Sequence, residues 1–337
     1  GTYITCEENW ARYFQIASGS NPGDANHTAS LKRYGVASAP LDPKATKAFG
    51  QGWHTVSESD TRFTRWNLAV LASDPSGDFR NEAYTFGYNV EIDPLNPAAA
   101  PVKRVSMGRF AHEAAVCGVP VAGKPLAFYM GCDSVNEYIY KFVSQAVWDP
   151  SDFGGGMAMG DKYLNEGKLF VAKFESDGTG RWIELTLANP AIKAYAGFQF
   201  ESQADVLVFT RLAADAAGAT KMDRPEWGAV DPVTGDVFAG GSFQNAGGDQ
   251  AADEIARFDG TRNLPRLPSE PYQFMSRVTR CEGPLGDMKV GSAVEIEYDI
   301  PADAWYFNDN DGVTMPFAVL LEALARLSQP AVGKPAP

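Results

Sequence analysis

Four cysteines in 337 residues are too few for a disulfide scaffold. Cys117 and Cys132 pair if they lie on adjacent strands and otherwise stay as buried free thiols, so the cysteines alone are silent on compartment. Basic charge is also short: 29 Lys and Arg stand against 42 Asp and Glu, a net charge of -13, which argues against nucleic-acid binding. Histidine occurs three times, at His27, His54 and His112, and a lone His such as His54 is more often surface or core than ligand. No apolar run reaches membrane-spanning length and no signal peptide is present; with Gly1 in first place, an upstream part is expected to be missing. The Gly154-Gly155-Gly156-Met157 run lacks the Gly-Lys-Ser or Gly-Lys-Thr ending of a phosphate-binding loop and reads as a mobile loop, and no dinucleotide fingerprint occurs elsewhere.

What is present is mainly strand. Lys168–Phe174 and Arg181–Leu185 flank a Ser-Asp-Gly-Thr-Gly turn, Leu126–Met130 precedes Tyr138–Val143, and Trp227–Val230 precedes Asp236–Ala239 across a turn rich in Asp, Pro and Gly, predicting hairpins. Short antiparallel strands with 33 Gly and 22 Pro fit a sandwich, a barrel or a propeller, and the spacing leaves the choice open. Helix is expected to be scarce before residue 240, with Arg211–Gly218 the exception, and 44–80 is expected to form long loops. At 45% hydrophobic the chain can bury a large core, as one large β domain and a smaller module.

Three segments carry chemistry. Met222-Asp223-Arg224-Pro225-Glu226-Trp227 sets a planar guanidinium fork, suited to phosphate oxygens, one proline away from a carboxylate that suits a hard cation. By itself this hexapeptide most often describes a solvated loop with an ion pair. Thr5-Cys6-Glu7-Glu8-Asn9-Trp10 offers a thiol for a transition metal beside oxygens for calcium or magnesium, or else an acidic loop with a free Cys. Gly108-Arg109-Phe110-Ala111-His112-Glu113 adds a His and Glu pair that cannot share one face of a strand or helix, so one of the two at most is expected as a ligand from that element.

In order along the chain, TCEENW at Thr5–Trp10, FGYNVEIDP at Phe86–Pro94, PVKRVSMGRFAHE at Pro101–Glu113, EYIYKFVS at Glu137–Ser144, KLFVAKF at Lys168–Phe174 and TRLAADAAGATKMDRPEW at Thr210–Trp227 resemble the PhoX-type alkaline phosphatases. The resemblance implies a partial β-propeller over 1–241, with iron (Fe3+) and calcium (Ca2+) in its central opening and a small-molecule phosphate monoester as substrate. It implies Cys6 as an iron ligand, Glu113 and Glu226 as carboxylate ligands and Arg224 as the phosphate binder, with Glu8 and Asp133 as further ligands and Glu7, Asn9 and His112 behind them. It also implies a periplasmic or secreted protein. Cations would reverse the local sign for a dianionic substrate, acidify a nucleophile and stabilise the equatorial oxygens.

After residue 241 the composition changes, and 242–262 reads as a linker or junction. Leu264–Val278, Gly286–Phe307 and Met315–Ala325 resemble part of a hot-dog dehydratase-type domain of polyunsaturated fatty-acid synthases, over 263–327, with acyl-carrier protein as its implied partner. Ala293–Ile300 alternates as a half-buried strand, Phe317–Leu327 has helical spacing, and 328–337 is tail-like. The dehydratase base is missing, since Trp305–Gly312 holds no His, and too few strands remain for a complete hot-dog fold. Three readings therefore stand: a metal-dependent phosphomonoesterase, inactive if the propeller is incomplete; a non-catalytic propeller that binds a ligand; and an acyl-chain module.

Overall fold

The computed structural model describes residues 1–17, 19–38, 52–53, 56, 61–74, 76–175, 179–231 and 235–241, together with the strand backbones at 255–258, 263–264, 275–281 and 294–298. The chain divides into two compact units, Gly1–Arg266 and Leu267–Pro337.

In the first unit, β1 (Tyr3–Cys6) pairs with β4 (Asn89–Ile92), which pairs with β5 (Val102–Lys103). Between them lie β2 (Gln15–Ile16), paired in parallel with β3 (Ala37–Ser38), and α1 (Ala25–Arg33). A five-stranded antiparallel meander follows: β6 (Val116–Cys117), β7 (Pro125–Gly131), β8 (Ile139–Val147), β9 (Gly167–Phe174) and β10 (Gly180–Glu184). A four-stranded meander closes the unit: β11 (Pro225–Val230), β12 (Val237–Gly241), β13 (Ile255–Phe258) and β14 (Asn263–Leu264). The expected hairpins form as β7–β8, β9–β10 and β11–β12, because alternating apolar runs broken by turn residues fix both pairing and register locally. β13 falls inside the 242–262 stretch read as a linker.

Helix is more common than expected. Besides α1 there are α2 (Met157–Leu164), α3 (Pro190–Lys193), α4 (Gln203–Val208) and α5 (Thr210–Ala217). The starts of α1 and α4 are capped locally: the Asp24 side chain accepts from His27 N at 2.8 Å, and Ser202 and Asp205 form a reciprocal capping box. α5 ends at Gly218 in the left-handed region (φ 66°), which glycine adopts without a Cβ clash. The run read as a mobile loop at Gly154–Met157 is instead the entry to α2, with Gly156 (φ 65°) at its cap. Short helices set by caps and by tertiary packing leave a weak periodic signal, which accounts for the difference. Of the loops expected at 44–80, Thr61–Trp66 is a 3-10 helix, and His54 lies outside the described residues.

The main core gathers Phe110, Tyr140, Phe142, Leu169, Val171 and Leu212, and a second cluster gathers Trp10, Phe14, Leu31, Tyr34 and Leu68. Burial of each large apolar side chain contributes roughly 1.5–3 kcal/mol. Of the two alternatives for Cys117 and Cys132, the free thiols are found, Cys132 buried and Cys117 exposed, since the register sets Cys117 opposite Phe128 and Cys132 opposite His112.

β11 lies against β6 and β7. Gly131 permits the approach, since a Cβ there would strike the Pro225 and Glu226 carbonyl oxygens. The segments that carry the candidate ligands are thus strand ends: Glu8 follows β1, Glu113 precedes β6, Asp133 follows β7, and Arg224 precedes β11.

In the second unit, β15 (Met275–Cys281) pairs antiparallel with β16 (Val294–Tyr298), which is the strand expected at 293–300. The helix expected at 317–327 and the tail lie outside the described residues.

Candidate metal centre

Glu8, Glu113 and Asp133 each offer a carboxylate oxygen within 4.8 Å of the others, although they come from segments more than a hundred residues apart at the extremes. Arg224 closes one side. Its Nε donates to Asp133 Oδ1 at 2.8 Å and its Nη2 to Asp133 Oδ2 at 2.9 Å, a bidentate pair, and Nη2 also meets Glu226 Oε1 at 3.0 Å. Four carboxylates against one guanidinium leave an excess of negative charge.

The consequences fall on the acids. Burial first, then Glu226, Asp133 and Glu8, push the Glu113 carboxyl up to about 7. Glu8 is also raised, chiefly by burial, while the amide of Asn9 opposes the shift by donating to Oε1 at 2.6 Å. Cys6 stands beside the group: burial, Glu113 and Glu8 push its thiol up to about 11. Its Sγ donates to Asn89 Oδ1 at 3.3 Å, so at neutral pH it becomes a thiolate only if a cation compensates it.

Arg224 has φ 49°, a left-handed conformation that costs a non-glycine residue about 1–2 kcal/mol. It is held there by Arg224 N donating to Ser134 O at 3.1 Å and by the fork on Asp133. Local strain sustained by its surroundings at a cluster of charges is a mark of a site.

A cation fits these donors. Glu113 Oε2 is buried with no hydrogen-bond partner among the described residues, and the oxygens that converge on it are hard ligands for calcium, with a soft sulfur alongside for a transition metal.

Two of the weaker expectations are not brought here. His112 is fully buried, stacked on Phe110 at 3.6 Å, and its Nε2–H donates to Gly108 O at 3.0 Å. Burial holds it neutral, with its pKa down to about 3. Glu7 accepts from Gly87 N and Tyr88 N and pairs with Lys103 Nζ at 2.7 Å, so its carboxylate is committed to the backbone joining β1 to β4.

The chain matches the family described as Alkaline phosphatase PhoX over residues 1–260. It belongs to the PhoX alkaline phosphatase family. A similar solved structure is that of Pseudomonas fluorescens PhoX in complex with vanadate, a transition state analogue, at 32% identity and a TM-score of 0.57, covering 76% of this chain and 42% of that one. This chain therefore spans under half the length of that protein. No curated protein matches. The family match lies within the first unit, and neither comparison extends support to the hot-dog resemblance at 264–325.

Two residues escaped the sequence reading. Asn89, fully buried, is the hydrogen-bond partner of Cys6, and its Nδ2 faces the Met130 sulfur at 3.3 Å. An amide opening the strand Asn89-Val90-Glu91-Ile92 was the available signal. Arg211, in the first turn of α5, is buried behind Asp133.

Proposed function

We propose that this chain carries the metal-binding and phosphate-binding part of a secreted phosphomonoesterase that hydrolyses small phosphate monoesters, its sheets being blades of a β-propeller. The observation that carries the reading is the convergence of Glu8, Glu113 and Asp133 on one point with the Arg224 fork beside it. In this reading Glu8, Glu113, Asp133 and Glu226 hold calcium, and Cys6 with a carboxylate holds iron. Bound cations supply charge neutralisation and Lewis acidity toward the phosphoryl oxygens.

The protein's own groups do the rest. Arg224 is half exposed, and its Nη1 has no partner among the described residues, so this donor is available to an equatorial phosphate oxygen. Asp133 and Glu226 hold the other two nitrogens and fix the plane of the guanidinium. This pre-orders a donor that acts most strongly as charge develops on the phosphoryl group. In the cation-free protein burial and the neighbouring acids raise the Glu113 carboxyl to about 7, and a cation bound there would displace its proton. No helix among the described residues is long and apolar enough to cross a membrane. Export is inferred from the family.

Hydrolysis of a chromogenic phosphate monoester with calcium and iron supplied, beside Glu226→Gln, tests the reading. Turnover that the variant loses supports it; turnover that Glu226→Gln and Glu113→Gln both retain rejects the site. A chain that binds calcium and vanadate without turnover favours a binding module. An acyl-carrier partner for the second unit requires that the full chain bind acyl-carrier protein, and no binding removes it.

A further inference from the structure

The turn that carries Asp133 is six residues long, Cys132-Asp133-Ser134-Val135-Asn136-Glu137; its tip, Val135 and Asn136, faces solvent, and its ends, Cys132 and Glu137, are buried. Such a turn between two strands would ordinarily be free to move. Beneath it lies Arg211, 6% exposed. Its Nη2 is 3.0 Å from Cys132 Sγ and 3.1 Å from Ser134 Oγ, the residues immediately before and after Asp133, and its Nε is 3.3 Å from the same sulfur and 3.5 Å from Glu137 Oε2 at the far end of the turn. We propose that Arg211 is a positioning residue of the metal centre, a buried clamp whose guanidinium fixes the direction in which Asp133 and, through Ser134, Arg224 are presented to the cation and the phosphate.

The partners it uses favour this over a role in stability alone. Burying a guanidinium is costly, and an apolar side chain of similar size would often stabilise a core as well or better. Two of the donors here are spent on a neutral sulfur, a weak acceptor, and another on a hydroxyl, while the nearest carboxylate oxygen is the longest of the contacts. What these contacts share is the turn. Arg33 anchors the same Glu137 and, through Asp215, α5; Tyr138 Oη also donates to Asp215 Oδ1 at 2.6 Å. The turn in turn holds the strained residue, because Ser134 O accepts from Arg224 N at 3.1 Å and Glu137 exchanges two 2.8 Å backbone bonds with Met222. Asp133 N donates to Ala111 O at 3.0 Å, which ties the Glu113 segment to the same support. Arg211 therefore lies behind three of the segments that meet at the site.

The inference rests on the cation-binding reading above and does not require turnover. The test compares the full chain with Arg211→Lys and with Ser134→Ala, by calorimetric titration with calcium and by hydrogen exchange of peptides covering 132–137 and 222–224. Loss of the support is expected to weaken calcium binding about ten-fold or more in Arg211→Lys. Exchange should quicken in those two segments while β9 and β10 keep their protection. Ser134→Ala removes one contact and keeps the buried charge satisfied elsewhere, so it should fold with an unchanged melting temperature and a smaller loss, about two- to five-fold. It also decides the matter if Arg211→Lys fails to fold. Wild-type calcium affinity and exchange in a folded variant would overturn the proposal, as would exchange that quickens evenly over the chain, or a parent chain that binds no calcium. Calcium binding with this dependence but no ester hydrolysis would sink the phosphatase reading alone.

Discussion

Among the arginines that grip carboxylates, Arg104 and Arg224 have opposite surroundings. Arg104 is fully buried: its Nε meets Glu91 Oε2 at 2.8 Å, its Nη1 meets Asp161 Oδ1 at 2.8 Å and Asn165 Oδ1 at 2.7 Å, and Gly160 of α2 packs so closely that a Cβ would overlap both charged groups. Arg224 is half exposed, faces an excess of carboxylates and sits on a strained backbone. The first arrangement uses every nitrogen of its guanidinium and joins α2 to β4. The second leaves charge and donors unsatisfied, which is the condition a ligand relieves.

The largest expected effect breaks the first arrangement. Arg104→Met leaves Glu91 buried and uncompensated and should cost about 3–5 kcal/mol in chemical denaturation; a loss below about 1 kcal/mol would erase the contrast. Arg224→Gly tests the other side. Ester turnover should fall about a hundred-fold or more through the lost transition-state donor, while stability stays within about 1 kcal/mol, because relief of the left-handed strain offsets the added freedom of the unfolded chain.

A third prediction concerns pH. The Glu113 carboxyl is raised from 4.5 to about 7 in the folded chain, so between those values the native state binds more protons than the unfolded state. Its contribution makes the cation-free protein less stable as pH rises through that window, and Glu113→Gln should flatten the slope in thermal melts recorded from pH 4 to 8. Calcium affinity should weaken as pH falls below about 7, where the proton competes. The smallest effect belongs to the solvent-exposed pair Lys168–Glu184 at 3.1 Å: Lys168→Ala should change stability by about 0.5 kcal/mol or less.

The hairpins β7–β8, β9–β10 and β11–β12 were legible because alternation and turn residues act over a dozen positions. The helices α1, α2 and α4 were not, since each is short and depends on the surface it covers and, in α1 and α4, on a side-chain cap. At the site, Arg224 and Glu226 announced themselves by a guanidinium and a carboxylate astride a proline. Asp133 gave a weaker signal, as one acid in a polar turn, and Arg211 gave none, because an arginine early in an amphipathic helix reads as solvent-facing.

The sequence by itself determined the strand pairs, the family phrases and the residue types able to bind a cation and a phosphate, all of which are local properties of the chain. The tertiary structure decided which acids meet. Glu7 and Glu8 are neighbours, yet one is taken up by Gly87, Tyr88 and Lys103 and the other points to Glu113 and Asp133. Successive side chains of an extended segment face opposite ways, and only the packing of β1 on β4 and of β11 on β7 determines on which side the acids gather.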